Sequence, residues 1–279
     1  MPIHDQGYRR YAGRREAHGH TWLVITRAAI MERLRERKFL GLLLFAWLPF
    51  LVRSVQLYIA ANYQQAAAVL AATPSMFRDF LSQQGVFVFF ITLYVGSGLI
   101  ANDRRANALQ IYLSKPLTRV DYVVGKLATL LIFLTFVTWV PGILLLVMQI
   151  LFAGNLTFLQ ANLFLFPAIT VFAAVTVLMS SFTMLALSSL SKSRRFVAVM
   201  YAGLIFFTAA MYQALRGITG SRMWFFISPG DVLDVIGDRI FRSTEPPGQL
   251  AIAIVVVGVL LAVSVFVLER RVRGVEVVT

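Results

Sequence analysis

The sequence contains no cysteine and few charged residues. Because the count of Cys is 0, the chain can form no disulfide, no thiolate metal site and no cysteine nucleophile. Charged residues make up only 14% of the 279 positions and hydrophobic residues 58%, whereas a typical soluble domain has about a quarter of its residues charged. A soluble fold could not bury this much apolar surface away from water. The composition therefore indicates a protein that lies within a lipid bilayer.

Motifs for nucleotide and metal chemistry are also missing. A P-loop needs the pattern GxxxxGK[ST] to hold phosphates, and the single Gly-Lys pair, Gly125-Lys126, is followed by leucine and lacks the upstream glycine. The histidines His4, His18 and His20 all lie in the N-terminal tail, where a solvated tail is a simpler interpretation than a metal site. We therefore predict no catalytic, cofactor-binding or metal-binding residue in this chain.

Six apolar stretches have the length that a transmembrane helix needs, roughly 17–25 residues. They do not alternate apolar and polar residues as β-barrel strands do, so they are predicted to be helices. They contain no Asp or Glu, which disfavours a proton- or ion-driven carrier, because such carriers place carboxylates inside the membrane. The stretches are Phe39–Ala61, Gly85–Ala101, Leu127–Phe152, Leu163–Leu190, Phe196–Leu215 and Leu250–Leu268.

The predicted fold is an all-α membrane protein with six transmembrane helices. Residues 1–21 would be a basic cytoplasmic tail and residues 22–279 a single transmembrane domain. Twenty of the 26 Lys and Arg residues fall on the side of the N-terminus, and the positive-inside rule then places both termini in the cytoplasm. This topology accounts for the net charge of +13 without nucleic acid, since anionic lipid headgroups are a sufficient partner.

Two polar features interrupt the apolar stretches. Arg53 lies within the first stretch, and we expect it to snorkel to the outer headgroups rather than to grip an anionic substrate. Ser180-Ser181 and Ser188-Ser189 lie in the fourth stretch. Either pair could supply a nucleophile, but small residues that pack one helix on another explain them more simply.

The segment Trp22–Lys38 runs from an apolar first half into a strongly charged second half. Its charges spread widely when projected at about 100° per residue, so a strongly amphipathic helix is not predicted. An interfacial helix fits better, with its apolar start in the membrane interface and Arg33, Arg35, Arg37 and Lys38 facing headgroups. An alternative explains these residues almost equally well: their positive charges only fix the orientation of the chain in the membrane.

The loop after the second stretch, residues 102–126, has its own start and stop signals. Asp103–Ser114 is predicted to form a short helix, which Pro116 ends because the residue before a proline is pushed out of the α region. Thr118 can cap a second helix, with Asp121 in the capping-box position. The loop is therefore predicted to be a helix, a proline elbow and a second helix, which a cytoplasmic partner could push.

These two cytoplasmic segments resemble the permease subunits of the second class of ABC exporters, the ABC type 2 family. Such subunits have six spans, a basic helix leading through Phe-Leu into the first span, and a conserved pattern after the second. The usual glutamate of that pattern is Asp103 here, and the usual Gly-Thr-Leu reads Asn107-Ala108-Leu109. The matching residues are Glu32–Gly41, Asp103, Leu109, Leu113, Ser114-Lys115-Pro116, Arg119 and Gly125-Lys126.

The resemblance implies a subunit that has no ATPase site and works with separate ATP-binding subunits, which would hold ATP and Mg²⁺. A second, identical or homologous half would complete the transporter in a bacterial inner membrane. Closure of the ATPases would shift spans one, two and five and move an amphiphilic or lipid-like substrate outward. Besides the charged end of the N-terminal helix, the residues expected to dock the ATPase are Asp103, Leu109, Ile111, Tyr112, Leu113, Lys115, Pro116 and Arg119.

Two other classes of protein remain open. The first is a non-transporting scaffold or sensor subunit of a membrane complex, and the second is a membrane enzyme. A co-purifying ATPase would indicate export, whereas a bound kinase or no partner would indicate one of the alternatives.

The longest outer loop is predicted to contain an amphipathic helix, Ser228–Phe241. Its apolar arc is expected to rest on or dip into the outer leaflet. Asp231, Asp234 and Asp238 fall within about 60° of each other on this helix, which could form a cation-binding stripe. We favour a solvated helix face with one i,i+4 ion pair between Asp238 and Arg242.

Overall fold

The computed structural model describes residues 21–63, 65, 70–107, 118–242 and 247–272. Regular structure in these ranges is helical throughout, and six helical segments are long and apolar enough to cross a membrane. Each overlaps one predicted stretch, so the all-α class and the six spans agree with the prediction. We number the spans 1 to 6: Arg37–Asn62, Pro74–Arg105, Arg119–Ala153, Leu165–Leu190, Arg194–Thr219 and Gln249–Arg271.

Spans 1 and 3 are each interrupted four residues before a proline. The ring of Pro49 would clash with the carbonyl of Phe45, and the ring of Pro141 with the carbonyl of Val137. The first helix of each span accordingly ends at that residue, and a new helix begins shortly afterwards. The pieces are Arg37–Phe45 and Leu48–Asn62 in span 1, and Arg119–Val137 and Trp139–Ala153 in span 3.

Span 2 begins earlier than predicted. Its helix begins at Pro74, where the hydroxyl of Thr73 accepts a hydrogen bond from the backbone N–H of Met76 at 3.3 Å. The predicted start at Gly85 is wrong because Arg78 and Asp79 give the preceding segment a polar sequence. The structure nevertheless buries apolar neighbours of these charges among the other spans.

The end of span 2 is irregular. Its first helix, Pro74–Ile91, is followed by a π-helical turn at Thr92–Gly96, and a short helix, Ala101–Arg105, completes the span. Because the spans are longer than the predicted stretches, some carboxylates lie in their terminal turns. These are Asp79 and Asp103 in span 2, Asp121 in span 3 and Glu269 in span 6.

In the described part of the chain, four further helices lie outside the spans. The N-terminal helix, Thr21–Leu34, is separated from span 1 by a break and does not run into it continuously. The loop helix, Pro229–Ile240, matches the predicted Ser228–Phe241 within a residue, and the hydroxyl of Ser228 caps it. The other two are the short helix Thr157–Ala161 and the 3-10 helix Arg222–Ile227.

Spans 2, 3 and 4 form the core of the bundle. In their most apolar windows 61%, 50% and 56% of the residues are buried, against 17%, 17% and 11% for spans 1, 5 and 6. The outer spans therefore present most of their surface to lipid or to another chain. We call the end that carries the N-terminal helix, Asp103 and Lys126 the N-terminal end, and the end that carries the loop helix the far end.

Candidate functional site

Most of the predicted docking residues lie outside the described part of the chain. Leu109, Ile111, Tyr112, Leu113, Lys115 and Pro116 belong to residues 108–117, which the structure does not describe. Both flanks of this loop are described. The predicted helix Asp103–Ser114 is wrong in its first half, because the helix ends at Arg105 and Asn107 adopts a left-handed conformation with φ of 52°.

The second flank begins as predicted. The hydroxyl of Thr118 accepts a hydrogen bond from the backbone N–H of Asp121 at 3.1 Å, and the Asp121 carboxylate accepts one from the backbone N–H of Thr118 at 3.3 Å. This reciprocal pair is a capping box. It begins span 3 at Arg119, a predicted docking residue that is exposed next to the loop.

Asp103 joins the two flanks. Its Oδ2 lies 2.7 Å from Lys126 Nζ and accepts a hydrogen bond from the Tyr122 hydroxyl at 2.7 Å. The side chains of Lys126 and Asp103 are only 11% and 17% exposed, so this ion pair is shielded from bulk water. The loop between the flanks is therefore clamped at its base, because Asp103 ties the end of span 2 to the start of span 3.

Gly125 allows the N-terminal helix to approach span 3. The Thr26 hydroxyl donates a hydrogen bond to the Gly125 carbonyl at 3.0 Å. A Cβ at position 125 would lie 2.9 Å from both the Cβ of Ile25 and the carbonyl oxygen of Trp22. The Gly-Lys pair, identified from sequence only through the family resemblance, thus has a physical role, because the glycine seats the N-terminal helix and the lysine binds Asp103.

The basic residues of the N-terminal segment occupy different environments. Arg33 is 6% exposed and its Nη1 lies 2.5 Å from Glu36 Oε1, so its charge is compensated within the chain. Arg35, Arg37 and Lys38 are exposed. Of the four basic residues predicted to face headgroups, these three present their charges at the surface, where headgroups or an ATPase could reach them.

Glu36 also contacts span 2 at its π-helical turn. The hydroxyl of Tyr94, a residue of that turn, donates to Glu36 Oε2 at 2.6 Å. This hydrogen bond is the main cause that lowers the pKa of Glu36 below its ordinary value. From the other side, Arg194 Nη2 donates to the Tyr94 carbonyl at 2.8 Å, and its guanidinium lies over the Tyr94 ring. Tyr94 therefore links span 1, span 2 and the start of span 5.

Ser188 satisfies the backbone where span 2 is irregular. Its hydroxyl oxygen accepts hydrogen bonds from the N–H groups of Ile100 and Ala101, each at 3.1 Å, and donates to the Ser97 carbonyl at 3.2 Å. A hydroxyl has one donor and two acceptor positions, so all three are used. The serine pair that sequence analysis interpreted as small packing residues therefore also stabilises a break in the neighbouring helix.

A cavity of about 200 Å³ lies between spans 2, 4 and 5 and the loop helix. Apolar side chains form most of its wall. Five polar side chains also line it: Ser82, Thr176, Ser180, Tyr201 and Asp234.

Arg78 closes the far end beside this cavity. Its Nη2 lies 2.7 Å from Asp238 Oδ1 and 3.5 Å from Asp234 Oδ1, so it holds the loop helix against span 2. Burial raises the pKa of Asp234 in spite of the neighbouring Arg78. The favoured interpretation of the aspartate stripe as a solvated face is therefore wrong at Asp238, which is paired and only 23% exposed, whereas the Asp234 side chain is 50% exposed.

Two further expectations for the loop helix are also corrected. The predicted pair between Asp238 and Arg242 does not form, because the helix ends at Ile240 and Arg242 has a φ of 60°; its guanidinium lies 4.0 Å from the Phe164 ring centroid. The apolar arc does not face the outer leaflet. Val232 and Ile236 are buried, and they pack in one cluster with Tyr212, Phe225 and Ala253.

Arg53 is half-buried in span 1, and its Nη1 donates to Gln56 Oε1 at 2.9 Å. Gln56 lies one turn nearer the far end, which is the direction that snorkelling requires. Among the described residues, no group of three His, Cys, Asp or Glu side chains could hold a metal ion.

Comparison with protein-family models matches residues 23–272 to the family described as ABC-2 family transporter protein. The match includes all six spans and both flanks of the loop. No curated protein matches the chain. The resemblance drawn from the two cytoplasmic segments is thus confirmed at the level of the family. The chain belongs to the ABC-2 family of transporter proteins, which are membrane transport subunits.

Proposed function

We propose that this chain is the permease subunit of an ATP-driven exporter, powered by separate ATP-binding subunits and completed by a second permease half. Membership of the ABC-2 family supports a transport subunit. The observation that carries the proposal is the clamped base of the loop after span 2. Asp103, Lys126 and Gly125 tie the two flanks of this loop to each other and to the N-terminal helix.

This arrangement would pass a movement of the loop to several helices at once. A subunit that pushes residues 108–117 would move the start of span 3, and with it the N-terminal helix seated on Gly125. Span 2 would follow through Asp103. The π-helical turn of span 2 lies about two helical turns before Asp103 along the span. π-Helical turns inside α-helices are often functional sites and can act as hinges. Glu36 and Arg194, which hold Tyr94, would transmit the change to spans 1 and 5.

The cavity beside spans 2, 4 and 5 supports an amphiphilic or lipid-like substrate. Its apolar wall would accept a hydrocarbon portion, and its hydroxyls and Asp234 would bind a polar portion. The ion pairs of Arg78 with Asp234 and Asp238 shut its far end. Opening toward the far end therefore requires the loop helix to move away from span 2.

The direction of transport follows from the proposed orientation. The exposed cations Arg35, Arg37, Lys38, Lys192 and Arg195 lie at the N-terminal end. By the positive-inside rule these cations support a cytoplasmic position for this end. In the bacterial inner membrane that the family resemblance implies, transport toward the far end would then be export. The ATP-binding subunits, with ATP and Mg²⁺, would dock at the same end.

Co-purification tests the proposal. The tagged full-length chain is expressed with its candidate ATP-binding subunit, and ATP hydrolysis is measured for each alone and for the complex in lipid. We expect no hydrolysis by the chain alone and a stable complex whose hydrolysis responds to substrate. If the chain retains no ATP-binding subunit but binds a kinase or another sensory protein, a scaffold or sensor role replaces the exporter.

A further inference from the structure

An open basic pocket of about 820 Å³ lies at the N-terminal end, between the end of span 2 and the turn that joins spans 4 and 5. Four cationic side chains line it: Arg105, Lys192, Arg194 and Arg195. Span 5 begins at Arg194, so the positive end of its helix dipole adds to the same field.

In the described part of the chain, none of these cations forms an ion pair with a carboxylate, and among them only Arg194 interacts electrostatically with an acidic residue, Glu36. Other cations do form such a pair: Arg33 pairs with Glu36, Arg78 with Asp238 and Lys126 with Asp103. Arg194 donates instead to neutral acceptors, the Tyr94 carbonyl and the Ser97 hydroxyl. Four like charges gathered in one concave site repel each other unless an anion is present, so the pocket is suited to an anionic ligand.

An apolar groove of about 450 Å³ lies along spans 4, 5 and 6. Leucine and valine side chains form most of its wall. On span 6 the groove runs from Val255 to Val267, which is roughly 18 Å along a helix. On span 4 the groove ends at Leu190, and the basic pocket begins at the next residue, Ser191. The apolar and basic surfaces therefore adjoin at the end of span 4.

We propose that the groove and pocket together bind one anionic glycerophospholipid, with its phosphate in the pocket and an acyl chain in the groove. A soluble phosphate would leave the groove empty, and a zwitterionic lipid would leave the pocket cations uncompensated. The site adjoins Arg194, whose guanidinium holds Tyr94 in the π-helical turn. The bound lipid would therefore change the electrostatic environment of Arg194, the residue that joins span 5 to the π-helical turn of span 2.

Lipid-specific quenching tests this site in a chain that has no cysteine of its own. A bimane fluorophore is attached to Val263→Cys, which lies in the groove, and to the control Val265→Cys, which lies on the same span but does not line the groove. The full-length protein is placed in nanodiscs containing phosphatidylglycerol and phosphatidylcholine, with bromine on the acyl chains of one lipid at a time. We expect brominated phosphatidylglycerol to quench Val263→Cys several-fold more effectively than brominated phosphatidylcholine, and both lipids to quench Val265→Cys alike.

Charge variants then separate the pocket from general surface attraction. Each basic residue near an anionic surface contributes about fivefold in affinity, so Lys192→Gln with Arg195→Gln should reduce the preference at Val263→Cys to that at the control position. Arg35→Gln with Lys38→Gln removes equal charge from the same end, outside the pocket, and should leave the preference intact. Thermal midpoints confirm that each variant is folded.

Equal quenching by both lipids at Val263→Cys would show ordinary boundary lipid and overturn the proposal. A preference that survives the pocket substitutions would overturn it as well. If these substitutions instead release a co-purified ATP-binding subunit while the lipid preference stays, the pocket binds protein. None of these results bears on whether the chain transports a substrate, so the exporter proposal is tested separately.

Discussion

At the scale of residues, Gly125 and Lys126 show how neighbouring positions serve different partners. Lys126 forms an ion pair with Asp103 across the base of the loop, and Gly125 leaves room for the N-terminal helix. The sequence marks the pair only through its match to a family pattern, since it lacks the other features of a P-loop. Both partners are remote in sequence, and no local rule of spacing reveals them.

Replacing Gly125 with alanine should loosen the N-terminal helix. The added methyl would lie 2.9 Å from Ile25 Cβ and from the Trp22 carbonyl, and overpacking of this kind costs about 1–3 kcal/mol. We expect a lower thermal midpoint and faster proteolysis between the N-terminal helix and span 1. Gly203→Ala is the control, because nothing lies within 4 Å of a Cβ there, and its midpoint should be unchanged or raised. Equal midpoints for the two variants would contradict the close approach.

The two aspartates that face Arg78 should respond differently to neutralisation. Asp238→Asn removes the carboxylate 2.7 Å from Arg78, so it should lower the thermal midpoint and free the loop helix. Asp234 lies 3.5 Å away, and burial raises its pKa. Because its ionised form is disfavoured in the folded protein, Asp234→Asn should leave the midpoint unchanged or raise it slightly. A larger loss for Asp234→Asn than for Asp238→Asn would show that the nearer contact is not the one that holds the helix.

At the scale of elements, hydropathy predicted all six spans because each carries a long apolar run. Hydropathy failed where a residue distant in sequence neutralises a charge within a span. Span 2 begins at Pro74 even though Arg78 is charged, because Asp238 neutralises that charge from the loop helix. The π-helical turn has no marker in the sequence, since the groups that hold its Tyr94 come from elsewhere in the chain: Glu36 accepts a hydrogen bond from the Tyr94 hydroxyl, and Arg194 donates one to the Tyr94 carbonyl.

The same limit explains the errors at the loop helix. Spacing alone predicted a pair between Asp238 and Arg242, but the helix ends before Arg242 can complete the turn. The periodicity correctly predicted that this helix has an apolar arc. What periodicity could not tell is whether the arc faces lipid or protein, and the structure packs Val232 and Ile236 on protein.

The contact between span 1 and the π-helical turn should weaken in acid. The hydrogen bond from Tyr94 lowers the pKa of Glu36 from its ordinary value of 4.5, so Glu36 contributes stability above that pH, and this contribution is lost as the pH falls through the lowered value. The thermal midpoint of Glu36→Gln should therefore lie below that of the unmodified chain at pH 7, and the difference should shrink as the pH drops below 4.5.

Two further variants check the Glu36 assignment. Tyr94→Phe removes the hydroxyl that donates to Glu36 and should lower the thermal midpoint at pH 7 by less than Glu36→Gln does, because Glu36 keeps its ion pair with Arg33. Glu32, which is 68% exposed and 3.9 Å from Arg33, is the matched carboxylate, and Glu32→Gln should change the midpoint little at either pH. If the difference in thermal midpoint between Glu36→Gln and the unmodified chain stays constant with pH, the titration of Glu36 does not contribute to stability.

At the scale of the whole molecule, the proposed orientation assigns the two ends of the bundle to opposite sides of the membrane. Ser193 is exposed at the N-terminal end, and Asn155 is exposed between spans 3 and 4 at the far end. In sealed cells, a membrane-impermeant maleimide should label Asn155→Cys and leave Ser193→Cys unlabelled until the membrane is opened. The native chain has no cysteine, so it provides the blank. The reverse pattern would invert the orientation, and labelling of both positions from outside would break the six-span topology.

The coupling of this chain to an ATPase depends, in the exporter proposal, on the loop between spans 2 and 3. Tyr112 and Leu113 are apolar residues in a loop otherwise rich in charge, and a cluster of this kind suits a groove on a partner. Truncation of a buried anchor residue costs about 2 kcal/mol or more, which corresponds to roughly thirtyfold in affinity. Tyr112→Ala with Leu113→Ala should therefore leave expression and the thermal midpoint unchanged while it releases the ATP-binding subunit and abolishes stimulated hydrolysis.

A matched pair of truncations makes that result specific to the loop. Leu156 and Leu163 are 50% and 67% exposed at the far end, so Leu156→Ala with Leu163→Ala removes exposed apolar surface on the side where no ATPase is expected. This variant should retain its partner in a pull-down and hydrolyse ATP at the unmodified rate. If the Tyr112 and Leu113 variant also holds its partner, the two side chains only anchor the loop in the membrane interface. Docking would then have to be sought on the exposed cations of the N-terminal segment, Arg35, Arg37 and Lys38.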